Sequence, residues 1–337
     1  MVEIMNWEIV IGIETHAQVI SQSKLFSTSR NNFGDEANEN VNMLDAALPG
    51  QLPVLNEFCV KQAIKTALGI NATVSKVSIF DRKHYFYPDL PPGYQITQFY
   101  QPIARNGYIL IEDSNGKEKK INISSMHLEQ DAGKLIIKDS KTLLDLNRAG
   151  CALMEIVSAP DMRSIDEAVS YVEKLRNILV YLGTCDGNMQ EGSFRTDVNV
   201  SIRKQGEEKF GTRCEIKNLN SIRFMRKAIK YEVERQINLL EEGNEVIQQT
   251  MLFDEATGET KPMRSKADAV DYMYFNDPDL PNLIVSQEEI DLINSTIPEL
   301  PDEKKSRFIM EYNLTSQDSS ILTKEKEVAD FFEKKTI

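Results

Sequence analysis

Residues 7–19 read WEIVIGIETHAQV, and their alternation is that of a half-buried β-strand. Trp7, Ile9, Ile11, Ile13, Ala17 and Val19 share one parity, interrupted only by Thr15, while Glu14, His16 and Gln18 share the other. A strand of this kind sends a carboxylate and an imidazole, two residues apart, into the same space. Gly12 removes a side chain beside them, as a position does where a ligand or another backbone comes close. A wet face whose polar groups do nothing has the same pattern, so the other strands must decide.

The alternation recurs. In GSFRTDVNVSIR (192–203), Phe194, Thr196, Val198, Val200 and Ile202 face one way; Arg195, Asp197, Asn199, Ser201 and Arg203 face the other. GTRCEIKNLNS (211–221) sets Arg213, Glu215 and Lys217 opposite Thr212, Cys214 and Ile216. Taken alone, these two are an ordinary antiparallel sheet with one wet side. In HLEQDAGKL, His127, Glu129 and Asp131 share a parity. Glu155 is the one charged or polar residue in the apolar run 151–157. An ionised carboxylate there costs several kcal/mol unless it meets a cation, so it is an ion-pair partner or a metal ligand, or, if buried alone, protonated.

Between the strands lie scaffold elements. Asn56 caps a helix through Leu68 with Gly69 as its stop. Ser164–Glu167 (SIDE) is a capping box opening a helix that ends at Gly183. A third helix runs from about Ser221 to Glu242, its first turns carrying Arg223, Arg226, Lys227 and Lys230. Hairpins are expected around DSNG (113–116) and FDEATGET (253–260). Residues 80–103 and 271–283, rich in aromatics and prolines, read as loops stiffened by ring packing. From Gln287 the chain turns to short charged helices, and a domain boundary near Ser295 is expected, giving a catalytic domain over 1–294 and the beginning of a helical domain over 295–337.

The 337 residues carry a net charge of −13, which excludes broad non-specific nucleic-acid binding and leaves room only for a local basic patch. Four scattered cysteines, Cys59, Cys151, Cys185 and Cys214, form no CxxC pair, against both a disulfide framework and a thiolate zinc site. No apolar run approaches the ~20 residues of a membrane span, and no signal or transit segment precedes Trp7. A cytoplasmic protein with no membrane contact is expected. There is no GxxxxGK[ST], GxGxxG or GxSxG motif. The acids Glu14, Glu129, Glu155, Asp197 and Glu215, with His16 as the one imidazole among them, would require a divalent metal if brought together. Oxygen-rich donors suit Mg²⁺ or Mn²⁺ better than Zn²⁺, and the residues alone lead to metal-dependent phosphoryl chemistry on an antiparallel sheet.

The ordered series IGIETH, KLFS, LPGQLPVLN, FDRKHYFYPDLPPGYQITQ, HLEQDAGK, LNRAG..LMEIV, EGSFRTDVNVSIR, GT.CEIKNLNS, FDEATG and DYMYF.DPDLP resembles the B subunits of the tRNA-dependent amidotransferases across residues 11–280. The resemblance implies an α+β cradle with an antiparallel sheet, similar to glutamine synthetase and guanido kinases, followed by a helical domain. It implies ATP-dependent phosphorylation of the side-chain carboxylate of mischarged Asp-tRNA(Asn) or Glu-tRNA(Gln). Ammonia released from glutamine by an amidase partner would then displace the phosphate, and a third, small partner would complete a heterotrimer. Carried over by position, Glu14, His16, Glu129, Glu155 and Glu215 would hold Mg²⁺ (or Mn²⁺), and Glu129, Glu155, Glu215 and Lys217 would serve catalysis. Lys83, Tyr85, Arg195 and Asp197 would serve the nucleotide and the acyl-phosphate. Asn42 and Asp45 stand where many relatives have a CxxC, so no zinc is expected. Gln130, Ala152, Pro92 and Met273 also depart from the pattern, the last two each in place of a cation. Two alternatives are a non-catalytic scaffold presenting tRNA in the same complex, and a metal-dependent carboxylate–amine ligase or phosphohydrolase sharing the fold.

Overall fold

The structure is a computed structural model and describes residues 6–113, 116–263 and 272–336, the side chain of Asn218 excepted. The WEIVIGIETHAQ stretch forms β1 (Trp7–Gln18), the middle strand of a nine-stranded sheet among the described residues. To one side lie β11 (Phe194–Lys204), β12 (Cys214–Leu219), β13 (Thr250–Asp254) and β14 (Glu259–Pro262). To the other lie β10 (Ala152–Ser158), β7 (Glu118–Gln130), β6 (Ala104–Glu112) and β2 (Thr73–Val74). Neighbours run antiparallel except β12 and β13, which are parallel. A parallel pair needs a long crossover, and α3 (Ile222–Glu241) supplies it. The sheet is therefore mostly antiparallel rather than wholly so.

The parity expected from sequence sets the two faces. Ile11, Ile13, Thr15, Ala17, Phe194, Val198, Val200 and Ile216 are buried on one side. There they meet α1 (Glu57–Gly69), α2 (Ile165–Leu182) and α3 in one continuous core. Each fully buried Ile or Phe of this set contributes about 1.5–3 kcal/mol of burial. Thr15 and Thr196 face each other within it, and neither hydroxyl finds a hydrogen-bond partner among the described residues.

The helices begin where the caps require. Asn56 Oδ1 accepts from the Phe58 amide at 3.0 Å, Ser164 Oγ from Glu167 at 3.1 Å, and Ser221 Oγ from Phe224 at 3.1 Å. Gly183, at φ 69°, ends α2 in the left-handed conformation. Gly69 differs from expectation: it lies inside α1, with Ile70 as the cap. Its role is close approach, since a Cβ there would lie 2.6 Å from Leu182 Cδ1 of α2.

The two aromatic segments are not simply loops. They pair with each other, as β4 (Asp81–His84) lies between β15 (Met273–Asn276) and β5 (Tyr94–Thr97) in a separate small sheet. Four-residue strands are too short to show a period. The minor ribbons β3 (Val77–Ser78) with β16 (Leu283–Ile284), and β8 (Lys134–Lys138) with β9 (Lys141–Asp145), are equally silent in sequence. Both strands of the hairpin around DSNG form and pair from Glu112 to Glu118; Ser114 and Asn115 lie outside the described residues, as does Asp271 of the second aromatic segment. Gly258, at φ 74°, turns β13 into β14.

Beyond Ser286 the chain is helical: α4 (Gln287–Asn294), α5 (Pro301–Tyr312), α6 (Ser316–Leu322) and α7 (Lys326–Thr336). Ile290 and Ile293 of α4 join the main core. Phe308, Tyr312 and Phe332 pack on one another instead, with centroids 5.2–5.4 Å apart.

Candidate functional site

The face of the sheet turned away from the helices carries the charge. Antiparallel register places His127 (β7), Glu155 (β10), His16 (β1) and Arg195 (β11) in one transverse row. Glu14 and Asp197 are opposite one another two residues along β1, and Gly12, Asn199 and Glu215 form the row beyond. Glu129 lies opposite Leu153, diagonal to Glu155. Residues far apart in sequence thus share a surface because directly opposite residues of antiparallel strands point the same way.

His16, Glu129 and Glu155 form a group whose donor atoms all lie within 4.8 Å of one another. His16 Nε2 is 3.7 Å from Glu129 Oε1 and 3.6 Å from Glu155 Oε2. His127 Nε2 is 2.9 Å from Glu155 Oε2 and 3.5 Å from Glu129 Oε2. Thr97 Oγ1 donates to Glu129 Oε2 at 3.2 Å. Burial alone would strip the proton from both imidazoles, but the carboxylates of Glu155 and Glu129 outweigh it. His16 is pushed up to about 9 and His127 up to about 10. Burial opposes the ionised form of Glu155, yet the His127 and His16 charges hold it well below the usual carboxylate range.

Of the five residues expected at metal, Glu14 and Glu215 stand outside this group. Glu14 Oε1 accepts from Asn199 Nδ2 at 2.9 Å. Its carboxyl is pushed up by burial and by the charges of Glu155 and Glu215. Lys217 Nζ bridges Asp197 and Glu215, 2.8 Å from each, and Thr250 Oγ1 donates to the other Glu215 oxygen at 3.0 Å. That double contact holds the ammonium charged against the cost of burial. Arg195 Nη2 is 2.9 Å from Asp131 Oδ2, which also faces Arg148 at 3.4 Å. Lys83 arrives from the small sheet, its Nζ 4.7 Å from the Tyr272 ring centroid and 6.0 Å from that of Tyr85. Burial lowers its basicity and the Glu129, Tyr274 and Glu155 fields more than restore it. Tyr85 packs edge-to-face on Tyr272 at 5.7 Å, and its phenol is pushed up, first by burial.

The residues that depart from the expected pattern sit in different surroundings. Asn42 Oδ1 accepts from the Leu44 and Asp45 amides, and the buried Asp45 carboxylate meets the fully buried Lys24 ammonium at 3.1 Å. Gln130 is opposite Ala152, which lies on the core face of β10, and Met273 is exposed. Pro92 lines a small hollow beside Asp45 and Asp131.

The sequence points to one imidazole here; there are two. His127 shares its parity with Glu129 in the sequence, but its value depends on β7 lying beside β10, which no local pattern encodes. Thr97 escapes sequence reasoning for the same cause. Two carboxylates and one imidazole at this separation fit a hard divalent cation, with oxygen donors in the majority. At the Glu14 end, a cavity of about 440 Å³ opens among Gly12, Pro160, Ser201, Phe210 and Arg213.

A family model described as the GatB/GatE catalytic domain matches residues 9–291. The B subunit of the aspartyl/glutamyl-tRNA(Asn/Gln) amidotransferase of Wolbachia pipientis wMel is 58% identical over 328 residues, covering 97% of this chain and 69% of the relative. The protein of the same name from Pelagibacter ubique (strain HTCC1062) is 56% identical over 329 residues, covering 97% and 67%. That from Bartonella tribocorum (strain CIP 105476 / IBS 506) is 57% identical over 335 residues, again covering 97% and 67%.

Proposed function

The chain belongs to the GatB/GatE catalytic-domain family, and from that membership we propose that it is the kinase-like component of a tRNA-dependent amidotransferase. The reaction is ATP-dependent conversion of the side-chain carboxylate of Asp or Glu on mischarged tRNA(Asn) or tRNA(Gln) to the amide. The observation that carries this is the convergence of His16, Glu129 and Glu155 from three adjacent strands. The assembly is a heterotrimer with an amidase and a third, small protein. Residues 1–294 form the catalytic cradle, comparable to glutamine synthetase and guanido kinases, and 295–337 begin a helical domain.

A divalent cation, Mg²⁺ or Mn²⁺, held by His16, Glu129 and Glu155 would screen the nucleotide's phosphate oxygens. The cavity beside Gly12 takes the nucleoside, because Glu14 and Asn199 in its lining lie on the same sheet face as the cation ligands. The carboxylate oxygen of the aminoacyl side chain attacks the γ-phosphorus and ADP leaves. Ammonia then adds to the acyl carbon, inorganic phosphate departs and the nitrogen sheds a proton. Arg195, oriented by Asp131, and Lys83, seated over the Tyr272 ring beside Tyr85, present cations to the acyl-phosphate and its tetrahedral adduct. Lys217 keeps Asp197 and Glu215 from repelling the incoming phosphates.

The test is ADP formation by the assembled heterotrimer in the presence of mischarged tRNA. Glu129→Gln and Glu155→Gln should each lower it by roughly 100-fold or more while tRNA binding persists. Unchanged ADP formation in both variants would remove the assignment of these carboxylates. Normal tRNA binding with no ADP from the unsubstituted protein would leave only a presenting role.

A further inference from the structure

We propose that His127 is the positioning residue of the cation site, holding Glu155 through its Nε2 hydrogen and backing Glu129 by charge, without itself coordinating. The inference rests on the cation site proposed above and deepens it. His127 Nε2 lies at hydrogen-bond distance, 2.9 Å, from Glu155 Oε2, whereas His16 Nε2 stands back at 3.6 and 3.7 Å from both carboxylates. The two imidazoles also meet different oxygens of Glu129. His127 and the Thr97 hydroxyl both approach Oε2, and His16 faces Oε1.

Glu129 is thereby held by one oxygen and offers the other. Its side chain is almost fully buried, 4% exposed, so it has little solvent to turn towards. A nitrogen that donates a hydrogen to a carboxylate cannot at the same time offer its lone pair to a cation. Ligand-orienting contacts of this kind change metal affinity by about 10- to 100-fold when removed. Glutamine carries an amide N–H at the reach of Nε2; alanine does not. The assignment is therefore separable from burial or bulk.

The experiment uses the protein assembled in its heterotrimer, with Mn²⁺ as the probe. Binding is followed by electron paramagnetic resonance, nitrogen coordination by ¹⁴N echo modulation, and folding by thermal melting. His127→Ala should weaken Mn²⁺ by about 10- to 100-fold, His127→Gln should recover most of that loss, and both should keep the ¹⁴N modulation. His16→Ala should abolish the modulation. The proposal is overturned if His127→Ala binds Mn²⁺ as tightly as the unsubstituted protein, or if Gln and Ala lose affinity equally. Loss of the ¹⁴N signal in His127→Ala overturns it too, since His127 would then be a ligand. So does a melting point lowered enough to account for the lost affinity. Failure of the unsubstituted protein to bind Mn²⁺ would instead defeat the underlying cation site.

Discussion

Glu155 lies between two imidazoles, and a pH prediction follows from its surroundings. Both histidines have their basicity raised from 6.5, to about 9 for His16 and about 10 for His127. A group raised on folding stabilises fully below its unfolded value and loses that contribution as pH climbs through the folded one. Glu155, held low, has the opposite sign: its contribution is present above 4.5 and lost as pH falls. In chelator-treated protein, stability from this cluster should be greatest between about pH 4.5 and 6.5 and decline steadily to pH 10. The alkaline loss should be several kcal/mol, each unit of raised pKa being worth about 1.4 kcal/mol, and His127→Gln should flatten part of it. Parallel melting curves for the variant and the parent across about pH 7–10 would refute the assignment.

Gly12 gives a second test at this scale. The atoms nearest its Cβ would be those of Pro160, at 3.7–3.9 Å, so a side chain fits the fold but projects into the 440 Å³ cavity. Gly12→Val should raise the KM for ATP by about tenfold or more, of the order expected when about 1.4 kcal/mol of binding is lost. Its melting temperature should change little. An unchanged KM would place the nucleoside elsewhere.

Elements are legible wherever a period runs long enough. β1 and β11 alternate over about a dozen residues, and the three helices announce themselves by cap and stripe. What local pattern cannot state is adjacency. Nothing near His127 says that β7 will lie against β10. Nothing near Glu215 says that β12 will pair in parallel with β13 across α3. The aromatic stretches pair between β4 and β15, far apart in the chain, and so read as loops. Gly69 reads as a helix stop because glycine so often is one; its real constraint is the neighbouring helix. Gly69→Ala forces a methyl to 2.6 Å from Leu182 and should cost about 1–2 kcal/mol after helix propensity is credited. In a Leu182→Ala background the same change should be neutral or stabilising, measured by denaturant unfolding. Equal costs in both backgrounds would show that the contact is not the reason for the glycine.

At the scale of the molecule, one face of a broad sheet is given to the core and the other to charge. The apolar parity meets three helices, so the polar parity is free to gather acids from β1, β7, β10, β11 and β12 that no single segment could assemble. Family membership adds the chemistry, and the geometry offers candidates for the cation, the nucleoside and two anion-binding groups on that face. The most direct measurement is anomalous diffraction from crystals of the heterotrimer soaked with Mn²⁺ and ADP. A peak within about 2.2 Å of His16 Nε2 and of oxygens from Glu129 and Glu155, lost in Glu129→Gln/Glu155→Gln, is the predicted result. A peak away from these three side chains, or one that persists in the double variant, would contradict the account.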